Sequence, residues 1–286
     1  MRLVYAIQVL LALGVGQAVA APGATGEIPF RLRDGFIWME VTVPGSQAPL
    51  NFLFDSGAQV SVINTATAQR LGLKGGRPVN VAGVGNTTTG FWPQTLEASA
   101  GGVQLPSEYL MLDLGKLGEA CTNAAVDGLI GADFFRERIV QIDFAKEVVR
   151  ILRERQVETG TQILPLKVRL CGMLVPVQIN DSKRQWVRLD TGCASALQWV
   201  TASVRPEGCT KRVAVALTSF SVPVTQTTLT LGAVRFEAVP TDLQGEAIFP
   251  GEKGLLGNGV LSRFQTVTID TKRKEVILGP VSQANP

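Results

Sequence analysis

The sequence predicts an all-β chain built as two similar lobes, and three observations predict it. Short apolar runs of strand length alternate with turn residues, with 30 glycines and 15 prolines in 286 residues, and long helical periodicities are few. The tetrapeptide Asp55-Ser56-Gly57-Ala58, which follows Phe52-Leu53-Phe54, returns as Asp190-Thr191-Gly192-Cys193 after Trp186-Val187-Arg188-Leu189. An aliphatic pair closed by glycine follows each copy: Gly128-Leu129-Ile130-Gly131, then Gly254-Leu255-Leu256-Gly257.

The repeat extends beyond these motifs. The landmarks are offset by 135 (Asp55 to Asp190), 126 (Gly131 to Gly257) and 127 (Asp143 to Asp270), so a unit of about 120 residues occurs twice. Two copies are too few for a solenoid and suit two lobes of one molecule. In the first copy Met39 to Val43 alternates apolar and polar residues, and Leu50 to Phe54 is nearly continuous in apolar side chains. In the second copy Val213 to Leu217 alternates large residues with alanine. Thr65 to Leu71 turns helical, with Gly72 placed as a C-cap; Pro206 interrupts the matching stretch of the second copy. Lys272-Arg273-Lys274 lies between the strand patterns Phe264–Ile269 and Val276–Leu278, as the solvated tip of a hairpin.

These patterns divide the chain into a signal peptide over 1–20, a first lobe over 28–153, a linker over 154–165 and a second lobe over 166–281. Arg2, the apolar stretch Leu3 to Val15 and the small residues Ala18-Val19-Ala20 have the layout of a cleaved export signal. That stretch is shorter than the roughly 20 residues of a spanning helix. The expectation is a periplasmic or extracellular protein with no stable membrane anchor after cleavage. The linker, Glu154 to Leu164 ahead of Pro165, is largely polar and reads as exposed.

Composition excludes several kinds of chemistry. The chain has no histidine, which removes Ser-His-Asp and Cys-His nucleophile schemes and the commonest zinc ligand sets. There is no phosphate-binding GxxxxGK[ST] loop, and Gly83-Val84-Gly85 lacks the third glycine of a dinucleotide fingerprint. A net charge of +3 with scattered basic residues gives no nucleic-acid patch. Neither metal nor organic cofactor is implied. Cys121, Cys171, Cys193 and Cys209 fit two disulfides in any of three connectivities, and fit buried free thiols as well.

What remains is carboxylate chemistry. Two aspartates on matched, glycine-ended strands can be brought together to share one proton, because two adjacent carboxylates do not both ionise cheaply. Gly57 and Gly192 would let the backbone pass close beneath them.

In both halves, over roughly residues 28 to 280, the chain resembles the aspartic peptidases of the retropepsin/pepsin superfamily in their bilobal, single-chain, bacterial-type form. The resemblance implies an acid-protease fold of two β-barrel-like lobes related by a pseudo-twofold axis, with few short helices. It implies an exported aspartic endopeptidase acting on polypeptide, with Asp55 and Asp190 catalytic. By the same resemblance Ser56 and Thr191 would hydrogen-bond across the axis, Gly57, Gly192, Gly131 and Gly257 would support the site, and Ala58 and Cys193 would line the cleft. A flap hairpin over Val81 to Thr87 would bring Gly83, Val84 and Gly85 to the substrate. The segment around Ala216 to Phe220 is its glycine-free counterpart.

The chain also departs from the family. Apart from Tyr5 its one tyrosine is Tyr109, well past the hairpin, so the flap tyrosine of pepsin-like enzymes is missing, as it is in retropepsins. Cys193 stands where a small residue is usual; it would narrow a subsite or pair with Cys209. The rival reading is a non-catalytic module that captures peptides or a partner protein on the same fold. Retention of both aspartates argues against it. The short linker favours a monomer over pairing of each copy with its twin in another molecule.

Overall fold

The computed structural model describes residues 23–83, 86–115, 117, 124–169, 172–201, 210–215, 218–245 and 252–282. The signal reading over 1–20, together with Cys121, Cys171, Cys209, Val84 and Gly85, lies outside them.

The chain is almost entirely β. The first lobe is an eight-stranded sheet in the spatial order Arg31–Arg33, Phe36–Val41, Leu50–Phe54, Gly128–Ile130, Val62–Asn64, Glu108–Leu112, Asn86–Thr95, Arg77–Gly83. The second lobe repeats that order strand for strand: Lys167–Arg169, Gly172–Ile179, Gln185–Leu189, Gly254–Leu256, Leu197–Val200, Val234–Gln244, Thr218–Leu231, Thr210–Val215. In the second lobe Gln178 and Ile179 also pair with Thr230 and Leu229, which curls the sheet toward a barrel. In the first, an isolated bridge between Thr42 and Ser99 ties the sheet to a small two-stranded ribbon, Ser99–Ala100 with Val103–Gln104.

The two signatures sit where matched strands end. Alternation along Leu50–Phe54 buries Phe54, whose ring packs edge-on against Phe134 at 5.6 Å and lies 5.1 Å from Phe135. Those two phenylalanines belong to a 3-10 turn, Ala132–Phe135, directly after Gly131. The α-helices are short. Thr65–Arg70 is capped by the Asn64 side chain, and Gly72 follows at a φ of +70°, a left-handed conformation that glycine adopts without strain. Asn258–Leu261 occupies the equivalent of the 3-10 turn in the second lobe.

A third, six-stranded sheet joins the halves, in the order Ala24–Pro29, Val148–Leu152, Ile139–Asp143, Thr266–Asp270, Glu275–Leu278, Gln162–Pro165. Its register carries the symmetry. Ile139 lies opposite Asp270 and Asp143 opposite Thr266, an exchange centred on the pair Gln141–Thr268. A twofold rotation about that pair produces the same exchange. Gln141 donates to the Thr268 hydroxyl at 3.3 Å.

One expectation is corrected here. The stretch 154–165 reads as an exposed linker, but Gln162–Pro165 is the outer strand of the joining sheet, with Leu164 buried against it. Four residues are too few for alternation to show in the sequence, and Pro165 is tolerated because the strand lies at an edge. Lys272, Arg273 and Lys274 do form the exposed tip between the strands Thr266–Asp270 and Glu275–Leu278.

Because strands from both halves join edge to edge in one sheet, at the pairing of Ile139–Asp143 with Thr266–Asp270, the lobes are expected to unfold together. Ile269, fully buried and opposite Val140 of the other half, tests this. Ile269→Ala is expected to cost about 2–5 kcal/mol in urea unfolding and to leave a single transition. Two separated transitions would show that the lobes are independent.

Candidate active site

Each signature aspartate is fixed by the glycine-closed strand beside it. Gly128–Ile130 runs parallel to Leu50–Phe54, and the Asp55 amide donates to the Ile130 carbonyl at 2.9 Å. In the second lobe Gly254–Leu256 runs parallel to Gln185–Leu189, and the Asp190 amide donates to Leu256 at 3.0 Å. Past each strand the backbone folds under the signature loop: Ala132 donates to the Ala58 carbonyl and Asn258 to that of Cys193, both at 2.8 Å. Gly131 and Gly257 sit in that crossing, where a Cβ would overlap Val60 and Ser61 in one lobe and Cys193 and Ser195 in the other.

The loops are locked to each other by hydroxyls. Thr191 Oγ1 donates to the Phe54 carbonyl at 2.7 Å and accepts from the Ser56 amide at 2.9 Å. Reciprocally, Ser56 Oγ donates to the Leu189 carbonyl at 2.9 Å and accepts from the Thr191 amide at 3.0 Å. Both side chains are buried. Asn258 adds a further tie, its Nδ2 donating to the carbonyls of Thr191, at 2.7 Å, and of Gly35 in the other lobe, at 2.8 Å.

This lock brings the aspartates face to face. A methyl group at Gly57 would overlap the Asp190 carboxylate, and one at Gly192 would overlap that of Asp55. No residue with a side chain fits either place. The carboxyls hydrogen-bond to each other, and their surroundings differ. Asp55 Oδ1 accepts from the amides of Gly57, at 2.9 Å, and Ala58, at 3.0 Å, whereas Asp190 Oδ1 accepts from that of Gly192 alone among the described residues, at 2.9 Å. Burial raises the proton affinity of both. For Asp190 the charge on Asp55 raises it further, while backbone donors hold Asp55 lower. With two amide donors against one, the backbone favours the ionised form at Asp55 over Asp190.

The other expected residues distribute as follows. Ala58 is partly exposed beside the pair. Cys193 is a buried free thiol, not a disulfide partner, and burial pushes its ionisation up. Gly83 ends the strand Arg77–Gly83, which pairs with Asn86–Thr95 as a hairpin whose tip, Val84 and Gly85, lies outside the described residues. The second lobe carries its own hairpin, Thr210–Val215 with Thr218–Leu231. Tyr109 is buried in the first lobe against Phe52, with ring centroids 6.3 Å apart. Among the described residues no group of acidic or thiol side chains gathers as a metal ion would require.

Three contributors escape sequence reasoning. Arg188, two residues before Asp190, is fully buried and donates to the Gly57 carbonyl of the other lobe at 3.0 Å. Glu252 holds its guanidinium from the opposite side. Asn258 spans the lobes. The available signal was a charge at an inward position of an otherwise apolar strand, which is rare unless paired.

The coupled pair makes stability depend on pH. Both aspartates keep protons to higher pH in the fold than in the unfolded chain, so their contribution is full in acid below the ordinary carboxylate range and is lost as pH rises from there through the raised midpoint. Asp190→Asn removes one of the two charges. The variant is expected to melt above wild type at mildly alkaline pH and to converge with it in acid, by paired Tm measurements. A gap that does not change with pH would show that the carboxylates do not repel each other.

Residues 39–134, which contain Asp55 and the strands on either side of it, match the family model described as aspartyl protease. No curated protein matches the chain. Among the described residues no helix is long and apolar enough to cross a membrane. That match lies on the first lobe, and with the acid-protease fold around both signatures it supports an aspartic peptidase of the retropepsin-like kind.

Proposed function

We propose that this peptidase is an exported, monomeric aspartic endopeptidase that hydrolyses extended polypeptides with a water activated between Asp55 and Asp190. The observation that carries the reading is the mutual placement of two carboxyls by reciprocal hydroxyl bonds between lobes, with unequal backbone donors at the two. Aspartic proteases are the standard example of two carboxyls sharing a proton.

Asp55 takes a proton from water as the water oxygen attacks the peptide carbonyl carbon. Asp190 gives its proton to the carbonyl oxygen. The product is a neutral gem-diol, with no covalent bond to the protein. In the second step a gem-diol proton returns to Asp190, the Asp55 proton passes to the departing nitrogen, and the C–N bond breaks to give an acid and an amine. The starting protonation states are restored.

A substrate strand between the lobes would be held by main-chain hydrogen bonds, with apolar pockets selecting side chains. The glycine-bearing hairpin ending at Gly83 supports a flap over it. Both aspartates come from one chain, which supports a monomer. The identical strand order of the lobes supports an internal duplication. The export reading rests on residues 1–20.

Asp55→Asn and Asp190→Asn are each expected to lower cleavage of an unstructured protein such as casein by about 10²–10⁴-fold or more while the fold persists. Wild-type kcat/KM should follow a bell: it falls in acid as Asp55 gains a proton and falls at higher pH as Asp190 loses its own. Casein bound at every pH without new fragments would replace this reading with a peptide-binding role.

A further inference from the structure

Strand register makes the lobes comparable position by position. In the first, Trp38 pairs with Leu53, and Leu53 lies beside Leu129. In the second, Leu174 pairs with Arg188, and Arg188 lies beside Leu255. Residues two apart on a strand share a face, so Leu53 lies on the face of Asp55 and Arg188 on that of Asp190. Arginine thus replaces leucine next to one of the two aspartates. Its neighbour changes with it: Phe36, two residues before Trp38, has Gly172 as its counterpart. A Cβ at Gly172 would collide with the Arg188 guanidinium.

Packing does not require this exchange, since the first lobe fills the same place with apolar side chains. Burying a guanidinium is costly unless its hydrogen bonds are met. Here Arg188 is fully buried, its Nε and Nη2 donate to the two Glu252 oxygens at 2.9 and 2.6 Å, and its Nη1 donates to the Gly57 carbonyl at 3.0 Å. The Gly57 amide in turn donates to Asp55. Two residues from Asp55, the second lobe therefore grips the first through a charge.

We propose that Arg188, held by Glu252, is a positioning residue for the aspartate pair: it pins the loop that carries Asp55 and keeps a positive charge behind both carboxyls. Its charge opposes the rise that burial imposes on both aspartates. Without it, the pair would tend to hold two protons in mild acid, where one is needed. Arg188 is the charged group that acts on both carboxyls, and Glu252 is bonded to it; the Cys193 thiol of the signature loop feels Asp190 and also Asp242 of the strand Val234–Gln244, which accepts from Ser195. This inference rests on the protease reading above.

The test is the pH dependence of kcat/KM on a peptide substrate for wild type, Arg188→Leu, which installs the first lobe's residue, and Glu252→Gln. Removing the cation should move both limbs of the bell to higher pH by about one pH unit, and removing its counter-ion should move both to lower pH. Limbs that stay in place under a uniform loss of rate, or that move the same way in both variants, would overturn the proposal. If Arg188→Leu does not fold, Glu252→Gln decides alone, since it retains the Arg188–Gly57 bond: a downward shift supports the proposal and an unmoved profile overturns it. Carboxyl-carbon NMR titration of the same proteins reads the aspartates without turnover. Opposite shifts there in a wild type that cuts nothing would keep the role of Arg188 and remove the protease reading.

Discussion

The reciprocal bonds between the Ser56 and Thr191 hydroxyls and the opposite backbone are the constraint on which this molecule depends. Each hydroxyl donates to a carbonyl and accepts from an amide of the other lobe, so neither loop can shift without stranding buried polar groups in both. Such a lock is needed because the groups it brings together would otherwise separate. Two carboxyls in contact repel once both ionise, and burial sharpens the repulsion. The lock is neutral and indifferent to pH, so it holds the pair in place in whatever state the pair adopts.

Around the lock, the fold limits how the loops can move. Phe54 anchors Asp55 from below through Phe134 and Phe135, and the turn that presents those rings is also the one that crosses beneath the first signature. The glycines facing the aspartates are required by lack of space; each leaves a gap that the other lobe's carboxyl fills. The six-stranded sheet then fixes the axis at a distance, through a register centred on Gln141 and Thr268. Local and remote constraints agree on one geometry, which is what lets a strained electrostatic arrangement persist.

Much of this was legible in the residues. The signatures, the glycine-closed strands, the helix ended by Gly72 and the hairpin near Gly83 all depend on short-range patterns, and short-range patterns survive in sequence. What was not legible depends on partners distant along the chain. Gln162–Pro165 looks like a linker because a four-residue edge strand gains its meaning only from the strand Glu275–Leu278. Cys193 looked like a candidate for disulfide pairing because burial cannot be read from a single cysteine. Asn258 follows a glycine in a helical turn, and nothing local says that its amide reaches Gly35. Arg188 was hidden inside an apolar run. Its parity with Asp190 places it on the face of that aspartate, but only the space at Gly172 and the bonds to Glu252 show how a guanidinium fits there.

Carrying both aspartates on one chain has a physical consequence. When two identical loops face each other across an exact twofold axis, their aspartates have identical surroundings, and the shared proton has no preferred side. Here the loops differ. Asp55 has two backbone donors and Asp190 one among the described residues, so the proton has a preferred side before any substrate arrives. Within the lock, Ser56 against Thr191 keeps the hydroxyl; the other differences, Ala58 against Cys193, Leu53 against Arg188 and Phe36 against Gly172, lie outside it and leave the reciprocal hydroxyl bonds untouched. Differences between the lobes therefore give the two carboxyls distinct surroundings without disturbing the contacts that hold them together.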